Sequence, residues 1–163
     1  MTTATPSPES PLSGKNGSSR LTDFDIYLLR QGNHCRLYEK LGAHMMTDEG
    51  GRLGYYFAVW APNARMVSVV GDFNGWAKDT HRLTARTDGS GLWEGFIPGI
   101  EKGSLYKFHV ESRTGTYAAN RGDPYAIRWE TPPSTVPITW DLNYAWHDDA
   151  WMKERKNRNS LNG

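Results

Sequence analysis

The sequence has little of what several common classes of site require. Its single cysteine, Cys35, excludes a disulfide framework within the chain and any metal site built from several cysteines. One cysteine is also typical of a reducing compartment, so we expect the cytoplasm. The formal net charge over 163 residues is only +1. The sequence therefore supplies no strong field for nucleic acid or for an anionic membrane, and we expect neither as a partner.

Long apolar runs are missing as well. No stretch of about 18 apolar residues occurs, so no membrane-spanning helix is expected. The first residues are Thr, Ser and Pro rather than a basic patch followed by an apolar stretch, which is not the pattern of a secretory signal. Residues 1–20 contain almost nothing to bury. Because their ordering entropy would not be offset, we expect a disordered tail there.

Motifs for nucleophilic, phosphate-binding and metal chemistry are absent too. There is no GxSxG elbow, no Walker A phosphate loop and no HExxH pair, and the five histidines stand singly. Cys35 has only His34 beside it. Paired carboxylates are able to cleave a glycosidic bond, but the acids of the predicted folded region are scattered and none has the apolar neighbours that raise a pKa. Those acids are Asp72, Glu94, Glu111 and Asp123. We predict no catalytic residue, no metal ligand and no cofactor.

Aromatic residues, by contrast, are abundant. They make up 12% of the chain and include seven tryptophans and eight tyrosines. That is more than a core of this size usually absorbs, so we expect some of the rings at a surface that stacks on a ligand. The competing interpretation is that the rings are simply core.

Alternating apolar and polar residues predict an all-β fold. Residues 55–60 and 66–70 are β-branched and aromatic runs with a two-residue period, and Pro62 and Asn63 separate them. Gly50 and Gly51 form a turn before the first run, and a further strand is predicted over residues 92–97. Short strands at this spacing are typical of a β-sandwich.

The run from Leu105 to Glu111 is predicted to be a strand with two different faces, because successive side chains of a strand alternate. One face is expected in the core and the other in solvent. The core face is Tyr106, Phe108 and Val110, and the solvent face is Lys107, His109 and Glu111.

Short helices are predicted at both ends of the sandwich. Thr22 and Asp25 form a capping-box-like start, with Asp in the place of Glu, to a helix of about two turns. Its apolar residues cover most of the circumference, which suits packing on more than one side. Asp148 is a cap candidate for a short C-terminal helix.

The prolines of the C-terminal third constrain the chain between the last predicted strand and that helix. Pro132, Pro133 and Pro137 lie close together in the sequence. Since proline does not donate to a ladder, they exclude a central strand, and we expect an extended, edge-like or wrapping segment.

The second strand ends in a loop that presents an indole. After Gly71 the residues Asp72 to Gly75 interrupt the ladder and place Trp76 on a turn. Pyranose rings have apolar C–H faces that stack on indole, and their hydroxyls need polar partners, which Asn74 and Lys107 supply. An aromatic platform contributes about 1 kcal/mol beyond area burial. Two interpretations stay open here: Trp76 binds a sugar, or it folds back over the sandwich edge while Lys107 is an ordinary strand residue.

With these residues described, the chain resembles the N-terminal part of bacterial 1,4-α-glucan branching enzymes of the α-amylase superfamily. WAPNA, GDFNGW and YKF alone fit any glycogen-binding module of the isoamylase N-terminal type, including those of debranching enzymes and of the AMP-activated kinase β subunit. The leading and trailing segments favour the branching enzyme. The segments that carry the resemblance are LTDFDIYLL (21–29), LYEKLGAH (37–44), FAVWAPNA (57–64), VSVVGDFNGW (67–76), GLWEGFIPG (91–99), YKFHV (106–110), DPYA (123–126) and WHDDAWMKERKNRN (146–159).

The resemblance implies an immunoglobulin-like sandwich ahead of a catalytic (β/α)₈ barrel, with glycogen, starch and maltooligosaccharides as ligands. Together with the tail expected over 1–20, we predict a helical lead-in over 21–44, the sandwich over 45–140 and a linker toward the barrel over 141–163. The family's catalytic residues lie in the barrel, for which this chain is too short, so we expect the chain alone to be inactive.

The resemblance also implies which residues bind sugar. The ligand-facing tryptophan of glycogen-binding modules corresponds to Trp76, and their lysine in the YKF motif corresponds to Lys107. Their second stacking tryptophan is replaced here by Tyr117. The alternative function is a structural domain that docks on the barrel without appreciable glucan affinity.

Overall fold

The computed structural model describes residues 19–143 and 145–158, with side chains described up to residue 155. The tail predicted over 1–20 lies outside the described residues except for Ser19 and Arg20. The described helices are α1 (Asp23–Arg30) and α2 (Asp149–Arg158), and the described strands are β1 (Gly42–Thr47), β2 (Leu53–Trp60), β3 (Ala64–Gly71), β4 (Thr84–Ala85), β5 (Leu92–Pro98), β6 (Tyr106–Ser112), β7 (Ala118–Arg121), β8 (Arg128–Trp129) and β9 (Pro137–Ile138).

The strands form two antiparallel sheets that face each other, so the predicted all-β, immunoglobulin-like sandwich is confirmed. The first sheet has the order β1-β2-β5-β4 and the second has the order β3-β6-β7. Rings from both sheets meet between them. Phe57 of β2 packs edge-on against Tyr106 and Phe108 of β6, with centroids 5.3 and 6.3 Å apart. This apolar layer is the main core.

A second apolar cluster covers the outer face of the first sheet. Ile26 of α1 and Leu21 pack there on Tyr56 and Leu92, so β2 is buried on both faces. The capping box is confirmed, since Thr22 and Asp25 bond each other's backbone N–H. On the far side of α1, Phe24 and Tyr27 stack 6.3 Å apart and are exposed.

The segment from His81 to Ala85 joins the two sheets at one edge. Val69 N–H donates to His81 O at 2.9 Å, and Arg82 forms a bridge with Ser68, so this segment begins beside β3 of the second sheet. Thr84 then pairs with Glu94 of β5 in the first sheet. The loop between β3 and this crossing segment, residues 72–80, is therefore held at both ends.

The described strands of the proline-rich segment do not join either main sheet, which agrees with the prediction that its prolines exclude a central strand. Strands β8 and β9 form a separate two-residue ribbon. The Thr139 hydroxyl is fully buried, accepts from Ser104 N–H at 2.9 Å and donates to Glu101 O at 2.8 Å. These bonds fix the segment beside the start of β6. Neither helix of the described part of the chain is long and apolar enough to cross a membrane.

Two buried acids serve as structural anchors. Glu94 ion-pairs with Arg86 at 2.8 Å and accepts from the hydroxyls of Ser19 and Tyr56. Asp123 is fully buried and accepts from the Tyr106 hydroxyl at 2.6 Å. Burial raises the pKa of Asp123 although its hydrogen bonds lower it. The expectation that none of the four acids has a raised pKa is therefore wrong for Asp123, because the apolar surroundings come from other strands rather than from its sequence neighbours.

Candidate functional site

Trp76 stands on a corner with an unusual backbone. Gly75 and Trp76 both adopt left-handed conformations, with φ of 60° and 62°. Among the residues that the structure describes, Trp76 is the sole non-glycine residue at positive φ. Its N–H donates to Gly71 O at 2.8 Å, which closes the corner. The side chain is 39% exposed, so a substantial part of the residue is accessible while the remainder is held by the loop.

Asn74 holds this corner from inside. Its Oδ1 accepts from Gly71 N–H at 2.9 Å, and its Nδ2 lies 3.0 Å from Val69 O and 2.9 Å from His81 Nδ1. These bonds connect the end of β3 to the start of the crossing segment. The side-chain amide is thus already engaged with the protein, which makes Asn74 a positioning residue in this structure. Direct contact of Asn74 with a sugar stays a prediction.

His81 accepts the bond from Asn74, so its Nδ1 is unprotonated in this arrangement. Burial lowers the pKa of His81, which favours the neutral ring. The ring also meets Phe73 edge-on, with centroids 5.6 Å apart. The loop that carries Trp76 is therefore fixed by one polar and one aromatic contact to the same histidine.

Gly71 is required at the base of the loop because there is no room for a side chain. A Cβ placed there would lie 2.1 Å from Leu105 O and 2.5 Å from the ring of Phe73. The backbone of Gly71 is extended, with φ of −176°, so the requirement is one of space rather than of conformation. This close approach brings the start of β6 next to the loop.

Lys107 lies at the same end of the second sheet as Trp76. It pairs with Val70 in the β3–β6 ladder, next to the pair of Gly71 and Tyr106. The Lys107 residue is half-buried, and among the described residues its ammonium forms no ion pair. The register thus places Lys107 and the accessible indole at the same end of the second sheet, and their joint contact with a sugar stays a prediction.

Tyr117 does not join these two residues. Its carbonyl accepts from Ser112 N–H, at the far end of β6. Five residue steps separate Ser112 from Lys107, which is about 17 Å along a strand. Tyr117 instead lines a groove with Val110 and Phe108, which face the core, whereas Lys107 alternates to the other face. The sequence predicts four sugar-binding residues, and the structure places Tyr117 apart from the other three.

The outer face of the second sheet is less exposed to solvent than predicted. His109 is buried, with its Nδ1 2.7 Å from Asn120 Oδ1 and its Nε2 3.4 Å from Glu111. Arg65 ion-pairs with Glu111 at 2.8 Å. The expectation of a solvated His109 is wrong because neighbouring strands supply polar partners that replace water.

Sequence reasoning missed Trp60. It ends β2 and is 58% exposed, and its Nε1 donates to Ser90 O at 3.0 Å. A large aromatic residue immediately before the Ala-Pro break was the available signal, since a strand's last residue often lies beyond the cover of the opposite sheet.

The exposed Cys35 thiol is free. No three His, Cys, Asp or Glu side chains come together as metal ligands in the described ranges. Around Trp76 the described residues offer aromatic rings and single polar groups, which is the chemistry of noncovalent binding.

Comparison with known proteins agrees with this chemistry. Residues 40–126 match the family model of carbohydrate-binding module 48, described as the isoamylase N-terminal domain. The chain is 46% identical over 140 residues to a 1,4-alpha-glucan branching enzyme of Albidiferax ferrireducens, and 49% identical over 146 residues to one of Thermosynechococcus vestitus. These matches cover 86% and 89% of this chain but only 22% and 18% of the relatives. The chain thus spans about a fifth of their length.

Solved structures resemble the same sandwich. A Klebsiella pneumoniae pullulanase, crystallised in complex with maltotriose, matches with a TM-score of 0.51 and 25% identity. The match covers 65% of this chain and 10% of the pullulanase. A crystal structure of a putative alpha amylase from Salmonella typhimurium matches with a TM-score of 0.51 at 19% identity, which supports the fold alone.

Proposed function

The chain belongs to the carbohydrate-binding module 48 (isoamylase N-terminal domain) family, and we propose that it binds α-glucan as the noncatalytic N-terminal module of a 1,4-alpha-glucan branching enzyme. The parent enzyme would form α-1,6 branches in glycogen biosynthesis, and its (β/α)₈ barrel would be the module's partner. The similarity to branching enzymes over most of the chain supports this assignment. The single exposed cysteine favours a cytoplasmic enzyme.

The observation that carries the proposal is the 39% exposed Trp76 on its left-handed corner. A large aromatic side chain is an unfavourable choice at positive φ, whereas glycine would form the same turn without strain. A requirement for a ring at this point explains the choice. Lys107 lies at the same end of the sheet, and its ammonium carries donors that suit sugar hydroxyls.

Affinity electrophoresis in gels that contain glycogen tests the proposal. We expect the 163-residue chain to be retarded relative to an inert protein, and Trp76→Ala to weaken its apparent affinity about fivefold, the equivalent of about 1 kcal/mol. Lys107→Ala is expected to have a smaller effect in the same direction. Trp151→Ala is a matched control, since Trp151 is an exposed tryptophan of α2. A wild-type chain that migrates like the inert protein would refute glucan binding.

The second candidate function is docking on the catalytic barrel. Large apolar side chains lie exposed around α1, the turn that precedes β1, and the C-terminal segment. They are Phe24, Tyr27, Tyr38, Leu142, Trp146, Trp151 and Met152. Exposed apolar surface of this kind marks an interaction site. We expect the isolated chain to bind a hydrophobic dye; negligible dye binding by a strictly monomeric chain would count against docking.

A further inference from the structure

A second groove with aromatic walls lies away from Trp76. Its volume is about 410 Å³, within the range of small-ligand pockets. Trp60 at the end of β2 and Tyr117, the residue before β7, both line it, and Val59, Val110 and Phe108 are among its apolar residues. The groove therefore lies between the end of β2 in the first sheet and strands β6 and β7 of the second.

Both aromatic residues are accessible and both are held in place. Trp60 is 58% exposed, and its indole N–H is fixed on Ser90 O at 3.0 Å. Tyr117 is 39% exposed, and the guanidinium of Arg121 lies 5.2 Å from its ring centroid. Rings that are fixed before binding lose little conformational entropy when a ligand arrives. Their accessible surfaces are thus suited to stacking.

The polar groups of the groove are few and of one kind. Arg121 is the one charged side chain among the described lining residues, and together with the Tyr117 hydroxyl it offers hydrogen-bond donors at the rim. Carboxylates are absent from that lining, and the Arg121 guanidinium already lies over the Tyr117 ring, so the charge of the groove does not favour a further cation. An apolar floor with donors at its edge matches a neutral polyol that has flat C–H faces.

We propose that this groove is a second α-glucan subsite, in which Trp60 and Tyr117 stack on glucose rings and Arg121 bonds their hydroxyls. The inference rests on the proposed glucan-binding function and extends it to a different surface. Tyr117 lies about 17 Å along the strand direction from the level of Lys107. A polymer with many identical rings engages two such subsites together, and the second contact then benefits from a high effective concentration.

The test compares four variants of the 163-residue chain in glycogen gels: Trp60→Ala, Tyr117→Ala, Trp76→Ala and the double variant of Trp60 and Trp76. We expect each single change to weaken apparent glycogen affinity about fivefold and the double change to weaken it more than either alone. Trp60→Phe, which keeps a ring, should retain most of the affinity. Trp151→Ala serves as the control for loss of an exposed indole, and thermal unfolding checks that each variant is folded.

Titration with maltoheptaose gives a second measurement. The indole N–H resonance of Trp60 should shift in wild type and also in Trp76→Ala, because the two surfaces bind separately. If Trp60→Ala and Tyr117→Ala are retarded as strongly as wild type while Trp76→Ala is retarded less, the second subsite is overturned and the proposed function stands. Loss of retardation in wild type itself would overturn both.

Discussion

The side-chain amide of Asn74 lies 2.9 Å from Nδ1 of His81, and this contact joins the two ends of the loop that carries Trp76. Asn74 follows β3, while His81 begins the segment that crosses from one sheet to the other. Since both residues also bond to Val69, the loop that carries the accessible ring is held on β3 of the second sheet. Its orientation depends on polar groups that do not themselves need to touch a ligand.

Replacing Asn74 should damage both folding and binding. Asn74→Ala leaves Gly71 N–H without its acceptor, and a buried donor without a partner costs about 1–3 kcal/mol. We expect the free energy of unfolding to fall by that amount in urea titrations and the glycogen affinity to fall with it. Asn33→Ala, at an exposed asparagine, is the matched control. Unchanged stability and affinity in Asn74→Ala would contradict the positioning role.

Acidification should loosen the same loop. Burial lowers the pKa of His81, so the unfolded chain takes up a proton near pH 6.5 before the folded chain does. The stabilising contribution of the neutral His81 ring is therefore fully present above that pH. It is lost as the pH falls toward the folded-state pKa of His81. His44 has a pKa lowered by burial as well and contributes to the same window. We expect the free energy of unfolding to decrease between pH 7.5 and 5.5.

A substitution separates the contribution of His81 to this pH dependence from that of His44. His81→Gln keeps an acceptor for Asn74 but does not titrate, so unfolding should become less sensitive to pH between 7.5 and 5.5. The part due to His44 should remain. Urea titrations at several pH values measure the difference. Identical slopes for the variant and the wild type would show that His81 does not control the loop.

Gly71→Ala should be among the most harmful small substitutions. The new methyl group would lie 2.1 Å from Leu105 O, so the backbone must move. Overpacking of this kind costs about 1–3 kcal/mol. Gly50→Ala is the control, because the nearest atom to its Cβ is the Asp48 carboxylate oxygen at 3.3 Å, on an exposed turn. Equal melting temperatures for the two variants would argue against the close approach.

The N-terminal cap should stabilise the fold only above acidic pH. Burial works to raise the pKa of Asp25, but bonds from Thr22, His34 and Lys40 outweigh it and hold the pKa below its usual range. Stability from Asp25 is therefore present above about pH 4 and is lost as the pH falls through the folded-state pKa. Asp25→Asn should cost about 1–3 kcal/mol at pH 7.

At pH 2 the difference between Asp25→Asn and wild type should shrink, since the unfolded wild-type chain then binds a proton at Asp25 that the lowered pKa of the folded state resists. Chemical denaturation at both pH values measures this change. A constant difference at pH 7 and pH 2 would mean that the charge of Asp25 does not contribute.

The strands with a clear two-residue period were predictable from sequence. β2, β3, β5 and β6 were all expected near their observed bounds, because each combines alternation with β-branched or aromatic residues. Strand β1, which reads GAHMMT, was not predicted. It has little intrinsic β-propensity and forms through its ladder with β2. Two-residue strands such as β4 are too short to leave a pattern in the sequence.

The candidate site was predictable in part. The turn residues around Gly75 indicated a presented Trp76, and the register that brings Lys107 to the same end of the sheet follows from the β3–β6 ladder. The separation of Tyr117 was not predictable, because it depends on where the chain turns back after β6, which pairs Tyr117 with Ser112. The internal engagement of Asn74 was hidden as well, since it depends on the return of the chain to β3 at His81, seven residues later.

The left-handed backbone of Trp76 inverts a familiar ranking of substitutions. At most positions alanine is tolerated better than glycine, because glycine gains more freedom in the unfolded chain. At φ of 62° the Cβ of alanine is strained while glycine is relaxed, so Trp76→Gly should melt at a higher temperature than Trp76→Ala although both lack the ring. Calorimetry of the pair would then report the local cost of displaying an indole at that corner, free of any contribution from the sugar.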